Sequence, residues 1–433
     1  MATPFVNMAK IPELRNRLLF TLLLLAVYRI GVFVPSPGVN VEALHRIVTQ
    51  GTVFDIFNLF SGGALEKFSV FALGIMPYIS ASIILQLMTV VVPSLERLSK
   101  EGEQGRRKIT QFTRYGTVVL SLVQGFGISF GLEKQGVLLP GIGGLAFYIR
   151  TMLTLAAGTA FIMWLGEQIT ERGIGNGISL VIFSGIVTRI PGGFRDAWAT
   201  KEQFSGLFGF ILLLAFVFSV ISMIIFFERS QRRIPIQYAK RVVGRKMYGG
   251  QSTHLPLKIN SAGVIPPIFA SSLILFPATM AQFSHNSTLQ AIASQLGSGW
   301  LHTGLYLSLI IFFTYFYTAV TFNPMDVSDN IRKFGGFIPG IRPGQSTSDH
   351  IDRILSRITL GGALYIAGIC IIPELLITQF GIPSTLASVF GGTSLLIVVG
   401  VAMDTLAQIE AHLLSRHYEG LMGEGGGRFR GRR

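Results

Sequence analysis

The sequence predicts an all-α integral membrane protein of ten transmembrane helices, and three observations predict it. Half of the 433 residues are hydrophobic and only 13% are charged, against roughly 25% charged in a soluble domain. Apolar windows of membrane-crossing length recur along the chain. A helix rising about 1.5 Å per residue needs some 20 apolar residues to cross a hydrocarbon core about 30 Å thick. Finally, lysine and arginine crowd into alternate connections between those windows.

In chain order the apolar segments are 18–34, 68–92, 115–132, 145–165, 178–190, 207–227, 260–283, 303–322, 358–379 and 386–409. The first is too long for the h-region of a signal peptide and has no small-residue cleavage site before the next segment, so it is expected to stay as a span. The second carries Gly74 and Pro77, the seventh Pro266 and Pro267, and the ninth Pro373. These residues predict broken helices. Such breaks survive in lipid where neighbours or a water-filled cavity satisfy the freed backbone groups, or as kinks packed through small residues. The fifth segment is short enough to pass equally well for a buried helix.

Charge decides in its favour. With a cytoplasmic N-terminus and ten spans, the cytoplasmic connections hold 28 lysines and arginines and the external ones about six. This is the bias expected of loops that stay inside. Deleting the fifth span would put RSQRRIPIQYAKRVVGRK outside. The formal net charge of +14 therefore gathers on one membrane face, chiefly in 93–114, 228–259 and 323–357. Anionic phospholipid is one partner for such a face, and RNA phosphate or an acidic protein surface is another. The loops 228–259 and 323–357 are longer than topology alone requires.

The organisation reads as a cytoplasmic N-terminus (1–17), a first half (18–190), an external hinge loop (191–206), a second half (207–409) and a basic cytoplasmic tail (410–433). Five spans followed by five more would repeat in inverted orientation. Before the second span, VFDIFNLFSGGALEKFSVF is apolar but too short to cross. It either re-enters the membrane or lies flat in the interface.

Several chemistries are missing. No lysine follows a glycine, which removes the phosphate-binding GxxxxGK[ST] loop, and the seven histidines form no metal-ligand spacing. Cys370 is the only cysteine, so neither a disulfide nor a CxxC motif exists within the chain. No cofactor or metal is expected. Ion-coupled transport needs ionisable residues deep in the spans. Only Arg29 and Asp404 stand out there, each near a span end where it could reach the interface. A passive conduit fits this pattern better than the alternative, a secondary transporter of a small solute. Ile75 and Ile79 share one face of the second span, and β-branched apolar residues flank the breaks in spans 5, 7 and 10. Such residues make ordinary lipid or core surface, or, around a cavity, a constriction that blocks ions by dewetting.

FSGGAL, FALGIMPYISASII, EGEQGRRKITQFTRYGT, WLGEQITERGIGNGIS, QSTHLPLKIN, FNPMDVSDNIRKFGGFIPGIRPG and FGGTSLLIV, in this order from about residue 10 to 418, resemble the signature stretches of the bacterial SecY family. The resemblance implies two five-helix halves around an hourglass pore that conducts unfolded preprotein and is no enzyme. It puts Ile75, Ile79, Ile182, Ile268 and Ile397 at the pore ring, and a plug at about 53–67 that includes Phe60, Gly62 and Gly63. It places a lateral gate between spans 2 and 3 and spans 7 and 8, with Gln86 and Asn260 as polar contacts across the seam. Arg245 and Arg342 fall in loops that dock the ribosome and the motor ATPase SecA. SecE and SecG are the implied membrane partners, in the bacterial cytoplasmic membrane.

Overall fold

The computed structural model describes residues 11–48, 58, 61–139, 141, 143–199, 206–238, 241–243, 246–248, 252–282, 299–380 and 391–425. Its helices are α1 (Pro12–Gly31), α2 (Val41–Val48), α3 (Met76–Val91), α4 (Pro93–Lys100), α5 (Glu103–Lys134), α6 (Leu145–Arg172), α7 (Gly177–Val187), α8 (Ile190–Ala199) and α9 (Gly206–Arg229). Strands β1 (Gln231–Tyr238), β2 (Arg241–Val243), β3 (Lys246–Tyr248) and β4 (Ser252–Lys258) follow. The chain continues through α10 (Ile265–Gln282), α11 (Trp300–Thr321), α12 (Pro324–Lys333), β5 (Gly336–Phe337), α13 (Gln345–Phe380) and α14 (Gly392–Gly425).

The architecture is mostly helical. Among the described residues, seven helices are long and apolar enough to cross a membrane, and α3 with α4 make an eighth if that bent pair counts as one span. The outside of the bundle is apolar as lipid requires: Phe208, Phe218 and Phe226 of α9 are exposed, and so are Leu19, Leu22 and Leu23 of α1. The chain is therefore a multi-pass membrane protein.

Proline falls where helices begin. Pro77 lies in the first turn of α3, and Pro266 and Pro267 in that of α10, where a missing N–H breaks no bond. The breaks expected inside spans 2 and 7 are instead their starts, and residues 68–75 approach α3 as buried irregular chain. Gly74, at φ +56, makes the turn into the helix. The true bend of the second span is at its far end, 99° between α3 and α4, where Pro93 opens the new helix. Pro373 does lie inside a helix. The short fifth segment gains length because helix resumes at Ile190, so 177–199 together reach spanning length and the expected loop 191–206 begins as helix.

The basic loop after α9 corrects the all-α expectation. In β1, Ile234 and Ile236 alternate inward, and β1 pairs antiparallel with β4 from Gln231↔Lys258 to Gln237↔Ser252. The third strand comes from the other long basic loop, Gln237↔Phe337 and Tyr238↔Gly336. Ile234, Ile236 and Leu257 then bury against Ile331, Ile338 and Ile351. Two loops read separately in sequence share one small core.

In the bundle, α1, α3, α5, α6 and α7 pack with one another, as do α9, α10, α11, α13 and α14. The two groups meet along two seams, α7 against α14 and α3 against α10.

Candidate functional site

Between the groups lies the largest apolar cluster. Ile75, at the start of α3, and Ile79, one turn on, are 1% and 6% exposed; Ile182 of α7 is 2% and Ile397 of α14 is 1% exposed. Ile268 of α10 is half-buried against the same cluster. The five isoleucines are thus contributed by four helices from both groups and share one dry neighbourhood. β-branched chains are stiff at χ1, so such a collar keeps its shape.

Against this cluster lies a compact knot of chain. Asn58 organises it: its Oδ1 accepts from Glu66 N at 3.2 Å, its Nδ2 donates to Glu66 Oε2 at 3.2 Å, and its carbonyl accepts from Gly63 N at 2.9 Å. Ser61, fully buried, donates to Asn58 O and accepts from Leu65 N. Gly62 and Gly63 turn at φ +66 and +88, a region that glycine enters without strain. A Cβ on Gly62 would come within 2.8 Å of Gly185 Cα, so the knot lies flush on α7. Phe60 lies outside the described residues.

The knot's outward bonds were not legible in sequence. Tyr28 Oη donates to Ser61 O at 3.1 Å, and Arg29 Nη1 donates to Gly62 O at 2.7 Å. Arg189 pairs with Glu66 at 3.8 Å. Arg29, near a span end, ties α1 to the Gly-Gly turn. Nothing in local spacing links residue 29 to residue 62. Asp404, by contrast, is exposed on α14.

Gln86 and Asn260 do not meet. Gln86 Nε2 donates to Ser82 Oγ within its own helix at 3.5 Å. Asn260, 4% exposed, donates to Glu228 Oε1 at 2.6 Å and to Gly263 O at 3.2 Å. Both amides donate within their own helix groups. The α3–α10 seam itself is formed.

At the end of the bundle that carries the sheet, Arg342 is exposed in a turn between Gly340 (φ +81) and Gly344 (φ +105). Thr347 Oγ1 donates to Arg342 O at 2.9 Å, and Ser328 Oγ donates to Gly344 O at 2.8 Å, fixing the turn on α12. Beside it on α13, Asp349, Asp352, Arg353, Ser356 and Arg357 line an open cleft of about 460 Å³. Arg245 lies outside the described residues. No group of three or more metal-ligating side chains occurs among the described residues.

A family model described as SecY matches residues 69–406. The chain is 52% identical to the protein translocase subunit SecY of Escherichia coli K12, covering 94% of this chain and 93% of that one. A solved protein-conducting channel superposes with a TM-score of 0.63 at 18% identity, covering 92% of each chain. Sec61 from the canine ribosome–channel complex of the endoplasmic reticulum gives 0.62 at 16% identity over the same shares. With its family model matched over most of its length and half its residues shared with a bacterial translocase subunit, this chain belongs to the SecY family.

Proposed function

We propose that the chain conducts unfolded preprotein across the bacterial cytoplasmic membrane and releases apolar segments sideways into lipid. As a SecY family member it is a protein-conducting channel and not an enzyme. In this reading it has ten spans in two inverted halves, both termini are cytoplasmic, and the pore is an hourglass. The reading is carried by one observation: five isoleucines from both helix groups share a single dry cluster. Ions cross such a collar only at the cost of dehydration, whereas an extended chain can replace the isoleucine contacts with its own side chains.

The plug expected at about 53–67 takes in this knot, of which residues 58 and 61–67 are described. Tyr28 and Arg29 bond it to α1, and Glu66 pairs with Arg189, all within the first helix group. The α3–α10 seam is the lateral gate. Partition then selects the segments that exit, because Leu or Ile at a helix centre favours insertion by some tenths of a kcal/mol and a charge opposes it by about 3 kcal/mol. The shared core of the two basic loops supports their action as one docking platform for the ribosome or SecA, with Arg342 at a braced turn. SecE and SecG complete the complex, and anionic phospholipid neutralises the remaining basic face.

The test replaces Ile75, Ile79, Ile182, Ile268 and Ile397 together with glycine. Resting proteoliposomes should then leak small ions, while preprotein still enters when SecA and ATP are supplied. Ion-tight vesicles would remove the collar assignment.

A further inference from the structure

Where the small sheet joins the bundle, two carboxylates stand close together. Glu228, half-buried, lies at the end of α9 just before β1. The chain returns from β4 through Ile259, whose N–H donates to Ser230 O at 3.1 Å, and Asn260 then donates to Glu228 Oε1 at 2.6 Å. Two close approaches bring α13 and α14 to the same place. A Cβ on Gly362 would lie 2.5 Å from Ile259 O, and one on Gly400 would lie 2.6 Å from Val264 Cγ2. Residues three and four apart share a helix face, so Tyr365 of α13 and Asp404 of α14 follow one turn along. The Tyr365 ring stacks on Phe227 at 4.2 Å, and Glu228 lies within electrostatic reach of both the Tyr365 hydroxyl and Asp404.

The cluster offers acceptors and holds no cation. Among the described residues neither Glu228 nor Asp404 forms an ion pair, although Lys258 is within electrostatic reach of Glu228. Asn260 and Tyr365 are 4% and 5% exposed, and Asn260 Oδ1 and Tyr365 Oη have no hydrogen-bond partner. Buried polar atoms and carboxylates are costly unless something satisfies them. No third His, Cys, Asp or Glu is grouped with the two carboxylates among the described residues, so the donor set suits an organic cation better than a metal ion. A lysine ammonium brings three donors and an arginine guanidinium five. Asn260 leads directly into α10, one wall of the α3–α10 seam.

We propose that Glu228 and Asp404, with Asn260 and Tyr365 as further acceptors, bind a lysine or arginine at the end of an apolar substrate segment seated at the gate. The proposal rests on the gate reading above. The surrounding loops 228–259 and 323–357 are basic and repel such a flank, so the acidic pair is where the flank comes to rest. It thereby fixes which end of the segment stays on the side of the basic loops, the end that lysine and arginine mark in membrane proteins generally.

The test uses the assembled translocase with Cys370→Ala as background and Ser261→Cys as reporter, Ser261 being exposed beside Asn260. The probe is a stalled preprotein carrying two lysines and one cysteine at the end of its apolar segment. Disulfide formation at position 261 should fall about tenfold when the lysines become glutamine, as expected for loss of a charge-assisted contact. Glu228→Gln with Asp404→Asn should cause the same fall, and the channel and substrate changes together should cause no more, since both remove one interaction. Glu228→Gln keeps an oxygen that accepts from Asn260 and removes only the charge. A change below twofold on removing the carboxylates, or falls that multiply when combined, overturns the cation site. A second cysteine pair, one in the middle of the segment and one on α3 at the seam, reports the gate separately. No disulfide there in the otherwise unaltered channel overturns the gate reading and the site with it; a disulfide there, with the yield at 261 indifferent to the carboxylates, overturns the site alone.

Discussion

Arg29→Ala isolates the anchor of the proposed plug. The guanidinium donates to Gly62 O at 2.7 Å and also lies 5.6 Å from the centre of the Phe33 ring, so its loss frees the Gly-Gly turn from α1. A hydrogen bond from a charged donor contributes about 1.5–3 kcal/mol. Arg29 is only half-buried, which argues for about 2 kcal/mol at this site. At a tenfold change per 1.4 kcal/mol, the displaced plug should become ~30-fold more populated. Tyr28→Phe removes a neutral buried bond at 3.1 Å, worth about 1 kcal/mol and ~5-fold. The double variant should stay below their product, ~150-fold, because adjacent donors to one turn are coupled. The assay is ion flux through purified complex in proteoliposomes without motor or substrate, beside SecA-driven translocation as a control for an intact channel. Arg29→Lys keeps the charge without the planar fork and should recover part of the seal. A leak for Arg29→Ala within twofold of wild type would refute the anchor.

Three further perturbations probe the rest of the molecule. Arg342→Glu reverses the charge at the tip of the braced turn and should stop preprotein entry into inverted vesicles while expression and melting are unchanged; normal secretion discards the docking role. Gly158→Ala puts a Cβ 2.0 Å from Val70 O, between α6 and the chain leading to α3, and should destabilise by about 1–3 kcal/mol in thermal melts of detergent-solubilised complex. Asn260→Ala leaves Glu228 without its amide donor at 2.6 Å and should cost about 1–3 kcal/mol in the same melts, with no effect predicted for Gln86→Ala.

The parts of the molecule that were legible in sequence share one property: a physical preference repeated over many neighbouring residues. Long apolar runs and one-sided lysine and arginine report solvent, and solvent acts on every residue of a span. The absence of Walker, CxxC and metal-ligand spacings likewise needed no coordinates. Positions of individual side chains were legible only through family motifs, and those motifs say nothing of bond partners. Gln86 and Asn260 illustrate the gap: their amides donate to Ser82 and to Glu228 and Gly263, partners that no motif names. Pro77 and Pro266 show another, because a proline reads the same whether it breaks a helix or begins one.

Composition thus settled that the chain lives in a bilayer. Folding in three dimensions chose which distant backbone groups satisfy one another: Arg29 with the carbonyl of Gly62, Gly175 with Gln408, and one strand from each basic loop in a common sheet. Those choices belong to the assembled molecule because a hydrogen bond or an apolar lock acts over a few ångströms of space, and residues 233 positions apart become neighbours only after every helix between them has been packed.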